Sequence, residues 1–219
     1  TISNGIKELK WIDIHGHFLG LYNNFFADAN IKTGLGNLVC ELMFNNKVKP
    51  ITYDGTVSFN NLNVGVLAET NLFGLVSGKA TLKGKGIKVN NMDTRLVSSI
   101  YSVDFKGKKV ENIELNGELF AKKFTGSIVC IDTNFDIDFN GLIDFNEEEP
   151  IYNFEAMVNN INLSELQIYK PDSNVKISGQ INADMVGKTL DSLYGKITMQ
   201  QAQFVQCDSI YDIPDFNLN

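Results

Sequence analysis

The chain has few of the residues that interrupt strands or carry out chemistry. Its 219 residues include four prolines, three cysteines, two histidines and one tryptophan. Cys40, Cys130 and Cys207 are odd in number and far apart, with no Cys-x-x-Cys pair, so neither a disulfide framework nor a zinc site is indicated. We expect these cysteines to pack as small hydrophobic residues.

Long apolar runs and a basic surface are also missing. No stretch approaches the ~18 apolar residues of a membrane-spanning helix, and no signal-peptide pattern opens the sequence. A net charge of −7 argues against nucleic acid as a partner, because neutralising phosphates requires a basic face. Lysines cluster within 79–88 and 106–123; we interpret both clusters as solvated strand faces, with contact to anionic lipid headgroups as the alternative.

What the sequence does contain is typical of β-structure. Eighteen glycines, fifteen phenylalanines and seven tyrosines suit many short strands separated by glycine turns. In residues 132–145, apolar side chains occupy odd positions, whereas Asp and Asn occupy even ones, with Leu142 as the apolar exception. The same alternation continues over 151–160, so we predict that the two segments form a β-hairpin.

Similar reasoning places the other elements. We predict strands over 1–20, 37–46, 101–106, 113–121 and 124–130, and a connection with some short strand over 21–34. In 101–106 the alternation puts Tyr101, Val103 and Phe105 on one face. Turns are predicted at 105–108 and 147–150, and short helical turns at 63–69, 162–165 and 189–194.

Two ordered blocks repeat along the chain. YDGTVSFNNLNVGVL at 53–67 aligns with YNFEAMVNNINLSEL at 152–166, an offset of 152 − 53 = 99. The Ser-Gly pair at 77–78 aligns with that at 178–179, an offset of 178 − 77 = 101. Two matching blocks in the same order favour a repeat of about 100 residues, and such repeats imply quasi-linear stacking.

Chemical motifs are weak by comparison. Asp13, His15 and His17 share a strand face and could hold zinc with a third ligand, but a polar strand face explains them better. The acidic face of 132–138 lacks the Gly and Glu of a calcium loop, and the carboxylates show no glycosidase pocket. The stretch 74–79 lacks the spacing of a phosphate loop. We therefore expect no enzyme, no metal and no cofactor.

The ordered segments 53–86 and 132–195 resemble the TamB and AsmA-like translocation and assembly proteins, particularly the Bacteroidetes type. The resemblance covers about residues 35–205 and depends on the order of degenerate strand and glycine patterns, among them FGLVSGKATLKGKG and ISGQINADMVGKTLDSLYGKI. It implies a periplasmic part of a long envelope protein that is anchored in the inner membrane by a helix outside this chain. It also implies a β-sheet folded lengthwise like a taco, with an apolar interior that carries phospholipid, and a role in assembling outer-membrane proteins.

No catalytic residue carries over from this resemblance; what carries over is the apolar strand face. The residues expected to line it are Val57, Phe59, Ala80, Leu82, Tyr101, Val103, Phe105, Ile113, Leu115, Ile128, Phe135, Ile137, Phe139, Ile143, Phe154, Ala156, Val158, Ile181 and Ile197. A register slip of one residue would move every one of them to the opposite face.

The sequence thus predicts an all-β fold: one continuous, elongated and curved antiparallel sheet over 1–219, with repeat units at approximately 1–100 and 101–219 and a few short helical turns. Because the chain begins at Thr1 rather than Met and ends in what looks like an incomplete strand, we expect an internal piece of a longer protein. The expected partners are phospholipid acyl chains and an outer-membrane β-barrel assembly protein. Two alternatives stay open: a sheet edge that chaperones outer-membrane strands, and a closed structural or adhesive β-sandwich.

Overall fold

The computed structural model describes residues 11–47, 49–68, 71–146, 148–166, 174–188, 192–206 and 209–218. About three quarters of these residues, 76%, lie in fourteen strands, and the strand pairs are antiparallel, so the predicted all-β antiparallel class is confirmed. The chain divides into two compact units, Thr1–Ala121 and Lys122–Asn219.

Unit 1 is a meander in which each strand pairs with the next one along the chain. Its strands are β1 (Ile12–Leu21), β2 (Asn24–Thr33), β3 (Gly36–Asn45), β4 (Thr52–Asn63), β5 (Phe73–Lys85), β6 (Asp93–Phe105) and β7 (Lys108–Phe120). A short helix, α1 (Val64–Ala68), separates β4 from β5, and a single 3-10 turn (Val89–Asn91) separates β5 from β6.

Unit 2 follows the same plan until its last strand. Its strands are β8 (Lys123–Ile131), β9 (Phe135–Asp144), β10 (Ile151–Asn162), β11 (Val175–Val186), β12 (Tyr194–Gln206), β13 (Ser209–Ile213) and β14 (Phe216–Leu218). β13 and β14 both pair with β12, on successive stretches of its outer edge. The predicted hairpin is confirmed as β9 and β10, with Phe139 opposite Ala156 and Ile137 opposite Val158.

The prediction for residues 21–34 was wrong, because this segment contains the full ten-residue strand β2 rather than a connection. Its buried positions include Ala27 and Ala29, which are 3% and 2% exposed. Alanine has a small side chain and a low β-propensity, so the alternation is present in the sequence but weak. Pairing with β1 on one side and β3 on the other stabilises the strand despite the low β-propensity of its alanines.

Several predicted turns are present. Lys106 and Gly107 connect β6 to β7 with φ values of 50° and 77°, as a two-residue type I′ hairpin turn requires. The helical turn predicted from Asn63 is α1. Residues 163–166 form a hydrogen-bonded turn. Parts of the turns predicted at 147–150 and 189–194, namely residues 147 and 189–191, lie outside the described residues.

The two sequence blocks that repeat also repeat in structure. β4 and β10 begin and end 99 residues apart, since 151 − 52 and 162 − 63 both equal 99. The register of β4 against β5 shifts between Phe59 and Leu62, and that of β10 against β11 shifts between Val158 and Ile161, at corresponding positions. A matching β-bulge is a geometric feature that two unrelated strands would not be expected to share.

The matching extends to the turn that follows each bulge. The side-chain oxygen of Asn63 accepts a hydrogen bond from the backbone N–H of Val66 at 3.1 Å. The side-chain oxygen of Asn162 accepts one from the N–H of Glu165 at 3.0 Å. Each asparagine therefore caps the turn that follows its strand.

Candidate functional site

In unit 1 the register of the strands gathers apolar side chains on one face of the sheet. Directly opposed residues in an antiparallel pair lie on the same face, so the pairing defines the rows across the strands. One row runs through Phe18, Ala27, Leu42, Gly55 and Leu82. We call the side formed by this row and those beside it apolar face 1. Its larger members include Ile14, Phe18, Phe25, Ile31, Leu38, Leu42, Phe44, Val57, Phe59, Leu82, Leu96, Ile100, Ile113, Leu115 and Leu119.

Unit 2 has an equivalent side, apolar face 2. Its central row runs through Ile128, Phe139, Ala156, Ile181 and Met199. Aromatic rings of neighbouring rows contact each other across the strands, as for Phe139 and Phe154, whose centroids are 5.2 Å apart. The other members include Phe124, Cys130, Phe135, Ile137, Ile143, Tyr152, Phe154, Val158, Ile161, Ile177, Ala183, Met185, Ile197 and Phe204.

Both apolar faces are partly filled by their own side chains. On face 1, Ala29, Cys40 and Leu42 are buried, and Ile31, Phe44, Val57 and Leu82 pack against them while remaining half-buried. On face 2 the buried members include Val158 and Ala156, at 3% and 4% exposed, whereas Phe154 and Ile137 are half-buried. Each face therefore combines fully buried residues with larger apolar side chains that remain partly exposed to solvent.

The residues predicted to line an apolar interior lie on these faces with one exception. Buried among them are Ala80, Val103, Phe139, Ala156 and Val158. Half-buried are Val57, Phe59, Leu82, Phe105, Ile113, Leu115, Ile128, Phe135, Ile137, Ile143, Phe154, Ile181 and Ile197. Apart from Tyr101, the predicted alternation therefore places these residues on the apolar side of their strands.

Tyr101 is the exception, because it lies at an irregularity in β6. The register against β5 shifts between the pair Ser77–Ser102 and the pair Gly78–Ile100, which leaves Tyr101 as the extra residue. It is 59% exposed, whereas Val103 beyond the bulge is buried opposite Val76. The bulge therefore separates Tyr101 from Val103 and Phe105, which period-two alternation alone had placed together.

Sequence reasoning missed the contribution of β1 to β3 to apolar face 1. Phe25, Phe44 and Leu42 belong to it, and the rings of Phe25 and Phe44 stack at 5.3 Å. The signal that could have found them is the alternation of apolar residues with Asp28, Asn30 and Lys32 in β2.

The chain matches no protein-family model, no curated protein and no solved structure. Its function therefore has to be argued from the residues and faces themselves.

The opposite face of each unit is polar and largely exposed. In unit 1 it carries cross-strand ion pairs, with Lys83 Nζ at 2.7 Å from Asp54 Oδ2 and Lys85 Nζ at 3.1 Å from Asp93 Oδ2. The hydrogen bond with Asp54 raises the pKa of Lys83 above its usual value. These lysines lie on a solvated strand face and are matched by carboxylates, as ordinary surface ion pairs are.

The two cysteines that the structure describes offer no reactive group. Cys40 and Cys130 are buried on the apolar faces, and burial raises the pKa of both thiols, that of Cys130 to about 12. A thiol held in its protonated form is a poor nucleophile and a poor metal ligand. Cys207 lies outside the described residues.

Nor do the histidines assemble a metal centre in the part of the chain that the structure describes. His15 Nδ1 lies 3.1 Å from Asp13 Oδ1, and both side chains are exposed on β1. Among the described residues, no group of three His, Cys, Asp or Glu side chains is arranged to hold an ion. The helices of these residues include none with the length and apolar content needed to cross a membrane.

The first strand is exposed along its whole length. All ten residues of β1 are exposed, and β2 is its only strand partner among the described residues. Apolar side chains occur on both of its faces, with Phe18 58% and Leu19 66% exposed. A long exposed edge of this kind is a template on which another strand can pair.

Proposed function

We propose that this chain is a periplasmic segment of an envelope protein of the TamB and AsmA-like kind, and that its apolar faces bind phospholipid acyl chains. The observation that carries the proposal is the half-exposed state of large apolar side chains on a sheet face that is continuous across successive strands in each unit.

Burial distinguishes such a face from an ordinary core. The inner faces of a closed β-sandwich interdigitate and lose nearly all contact with solvent. Here Phe59, Ile137 and Phe154 remain half-buried, although they point to the apolar side of their sheets. Covering such side chains with hydrocarbon is favourable by roughly 25 cal/mol per Å² of apolar surface removed from water.

The mechanism is passive and requires no catalytic group. Acyl chains lie along the apolar face, because each buried methylene contributes about 0.8 kcal/mol, while the headgroup stays in water at the polar rim. The lipid moves by exchanging one set of equivalent apolar contacts for the next. In the proposed setting, a membrane anchor outside this chain fixes the protein in the inner membrane, and the lipid moves between the two membranes.

Native mass spectrometry and lipid extraction of the purified chain test the proposal. We expect phospholipid to copurify with the wild-type protein and Ile137→Asp to abolish this, because a carboxylate on apolar face 2 opposes contact with hydrocarbon. Asp138→Ala is the matched control, since Asp138 is exposed on the other face of the same strand. Lipid-free wild-type protein, or equal lipid loss in both variants, would contradict the proposal.

Phe139→Asp separates lipid binding from folding. Phe139 is 8% exposed and contacts the ring of Phe154, so we expect this variant to lose stability as well as lipid. Ile137 is half-buried, and we expect Ile137→Asp to change folding only locally. If Ile137→Asp also unfolds the whole chain in a circular dichroism melt, apolar face 2 is an ordinary core.

The exposed edge of β1 favours a second candidate function, the pairing of an outer-membrane protein strand with this sheet. In such β-augmentation the backbone groups of the edge supply the hydrogen bonds. We expect Ile14→Pro to abolish binding of an extended, alternating apolar and polar peptide, because proline removes a backbone donor from the side of β1 that faces away from β2. Ile137→Asp should leave that binding intact, and the opposite pattern would assign the peptide to the apolar face instead.

A further inference from the structure

The polar face of unit 2 contains a shallow depression of about 630 Å³ over β9 to β12. The register sets its side chains in two rows. Asn140, Glu155, Asn182 and Thr198 are opposite one another across the four strands. The second row passes through Asn153, Asp184 and Lys196. Neighbouring strands lie about 4.8 Å apart, so each row presents polar groups at that spacing.

These side chains have their hydrogen-bonding groups free. Within the described residues, none of Asn140, Asn153, Asn182 or Glu155 has a side-chain hydrogen-bond partner, and Asp184 and Lys196 form no ion pair although they are opposed. Amides elsewhere in unit 2 do find partners. Asn159 donates to Asp136 at 2.9 Å, and Gln203 donates to Asp212 at 2.9 Å.

The corresponding position in unit 1 contains an ion pair that the depression of unit 2 does not have. A depression of about 550 Å³ lies over β2 to β7 there, and its lining includes Asp54, Lys83 and Arg95. The repeat offsets align these three with the second row of unit 2, because 54 + 99 = 153, 83 + 101 = 184 and 95 + 101 = 196. In unit 1 the ion pair of Lys83 with Asp54 occupies the row. In unit 2 Asn153 stands in place of Asp54 and Asp184 in place of Lys83, so no ion pair forms between these two positions and their polar groups can contact a ligand.

The open groups indicate the chemical class of a ligand. An amide presents a donor and an acceptor side by side, and a carboxylate presents two acceptors, which together match neighbouring hydroxyls that both donate and accept. Glu155, Asp184 and Lys196 give the depression a formal charge of −1 − 1 + 1 = −1, which disfavours phosphate or another anion. Neutral polyhydroxylated molecules fit both properties.

An exposed aromatic ring adjoins the depression. Tyr194 lies two residues before Lys196 on β12 and therefore on the same face, about 6.6 Å along the strand. It is 59% exposed, and its hydroxyl donates to Glu149 Oε2 at 3.2 Å, which restrains the ring. An aromatic ring at the rim can cover the C–H face of a sugar while the amides bind its hydroxyls.

We propose that this depression is a carbohydrate-binding site that takes a neutral mono- or disaccharide unit, either as a free sugar or as the headgroup of a glycolipid. The site lies on the side of the sheet opposite apolar face 2, so it does not depend on the proposed binding of acyl chains. Because the depression is shallow and open, we expect the binding to be weak.

Saturation-transfer NMR on the full chain tests the site, with maltose, cellobiose, lactose and chitobiose as probes. We expect transfer to at least one of them, and at least a tenfold weaker affinity in the double variant Asn153→Ala, Asn182→Ala. The unit 1 variant Asp54→Ala, Lys83→Ala is the matched control and should bind as the wild type does. An unchanged melting temperature shows that the double variant is folded, as expected for exposed and half-exposed positions.

Either of two results would overturn the proposal: no transfer to any of the four disaccharides, or an affinity that the Asn153 and Asn182 changes leave unaltered. A second experiment identifies the source of the sugar. Phosphatidylcholine vesicles with and without a digalactosyl lipid are incubated with the chain, and free lactose is added as a competitor. Retention on glycolipid vesicles that lactose reverses assigns the site to a headgroup, and binding of lactose without such retention assigns it to a free sugar.

Discussion

Cys130 provides a direct test of how dry apolar face 2 is. Its side chain is 1% exposed and lies opposite Ile137 in the register of β8 and β9. Burial raises its pKa to about 12, and the charges of Asp132 and Asp136 act in the same direction, whereas a hydrogen bond to the backbone of Asp132 opposes them. The thiolate is the reactive form of cysteine, so this shift predicts an unreactive thiol.

The shift can be converted into a rate. At pH 8 a thiol with a pKa of 9 is about 10% ionised, whereas one with a pKa of about 12 is about 0.01% ionised, a ratio of about 1,000. We therefore expect Cys130 to react with the disulfide reagent DTNB about 1,000-fold more slowly in the folded protein than in urea. The measurement uses a chain with Cys40→Ser and Cys207→Ser, in which Cys130 is the only thiol.

The pH dependence of stability has a definite sign. The folded state favours the protonated thiol, and the unfolded state loses its proton near pH 9. The contribution of Cys130 to the free energy of unfolding is therefore fully present below pH 9. It is lost as the pH rises towards 12, by about 1.4 kcal/mol per pH unit at most. The variant Cys130→Ala should lack this loss.

The DTNB experiment also has a result that would refute the reasoning. If Cys130 reacts with DTNB in the folded protein within about tenfold of its rate in urea, water reaches the thiol and apolar face 2 is not dry.

Three further predictions concern the stability of the repeats, measured by urea unfolding. Asn162→Ala should cost about 2 kcal/mol and Asn63→Ala about 1 kcal/mol, because both remove a cap but only Asn162 is buried; equal losses would contradict this. Gly55→Ala should cost about 3 kcal/mol, since its Cβ would lie 2.0 Å from the carbonyl oxygen of the opposed strand, whereas Gly107→Ala meets no neighbour and should cost about 1 kcal/mol. Phe139→Ala should cost about 3 to 5 kcal/mol, and a loss below about 1 kcal/mol would mean that its contacts are not formed in solution.

The strand pattern of this chain was readable because side-chain alternation reports which face is apolar. The β9 and β10 hairpin followed from alternation on both arms, and the repeat followed from two ordered blocks with offsets of 99 and 101. Where the buried positions are small, as at Ala27 and Ala29, the same rule gave a weak signal and β2 was missed. Alternation also could not locate the bulge at Tyr101, because the extra residue depends on how β6 pairs with β5.

The candidate sites differ in how far the sequence could reveal them. The apolar faces follow from period two alone, but the balance of buried and half-buried side chains on them depends on packing between strands. The polar depression of unit 2 gave no recognisable motif. Asn140, Asn153 and Asn182 come from three strands, and only the register brings them into one depression. Their lack of partners is likewise a property of the structure.

The pairing of consecutive strands has a consequence for how this protein acquires its structure. Within each unit nearly every strand pairs with the strands immediately before and after it in the chain, and β14 is the exception. Contacts between residues that are close in sequence require little loop-closure entropy. A new hairpin can therefore dock on the strand already in place while later residues are still being synthesised, so folding can keep pace with the emerging chain.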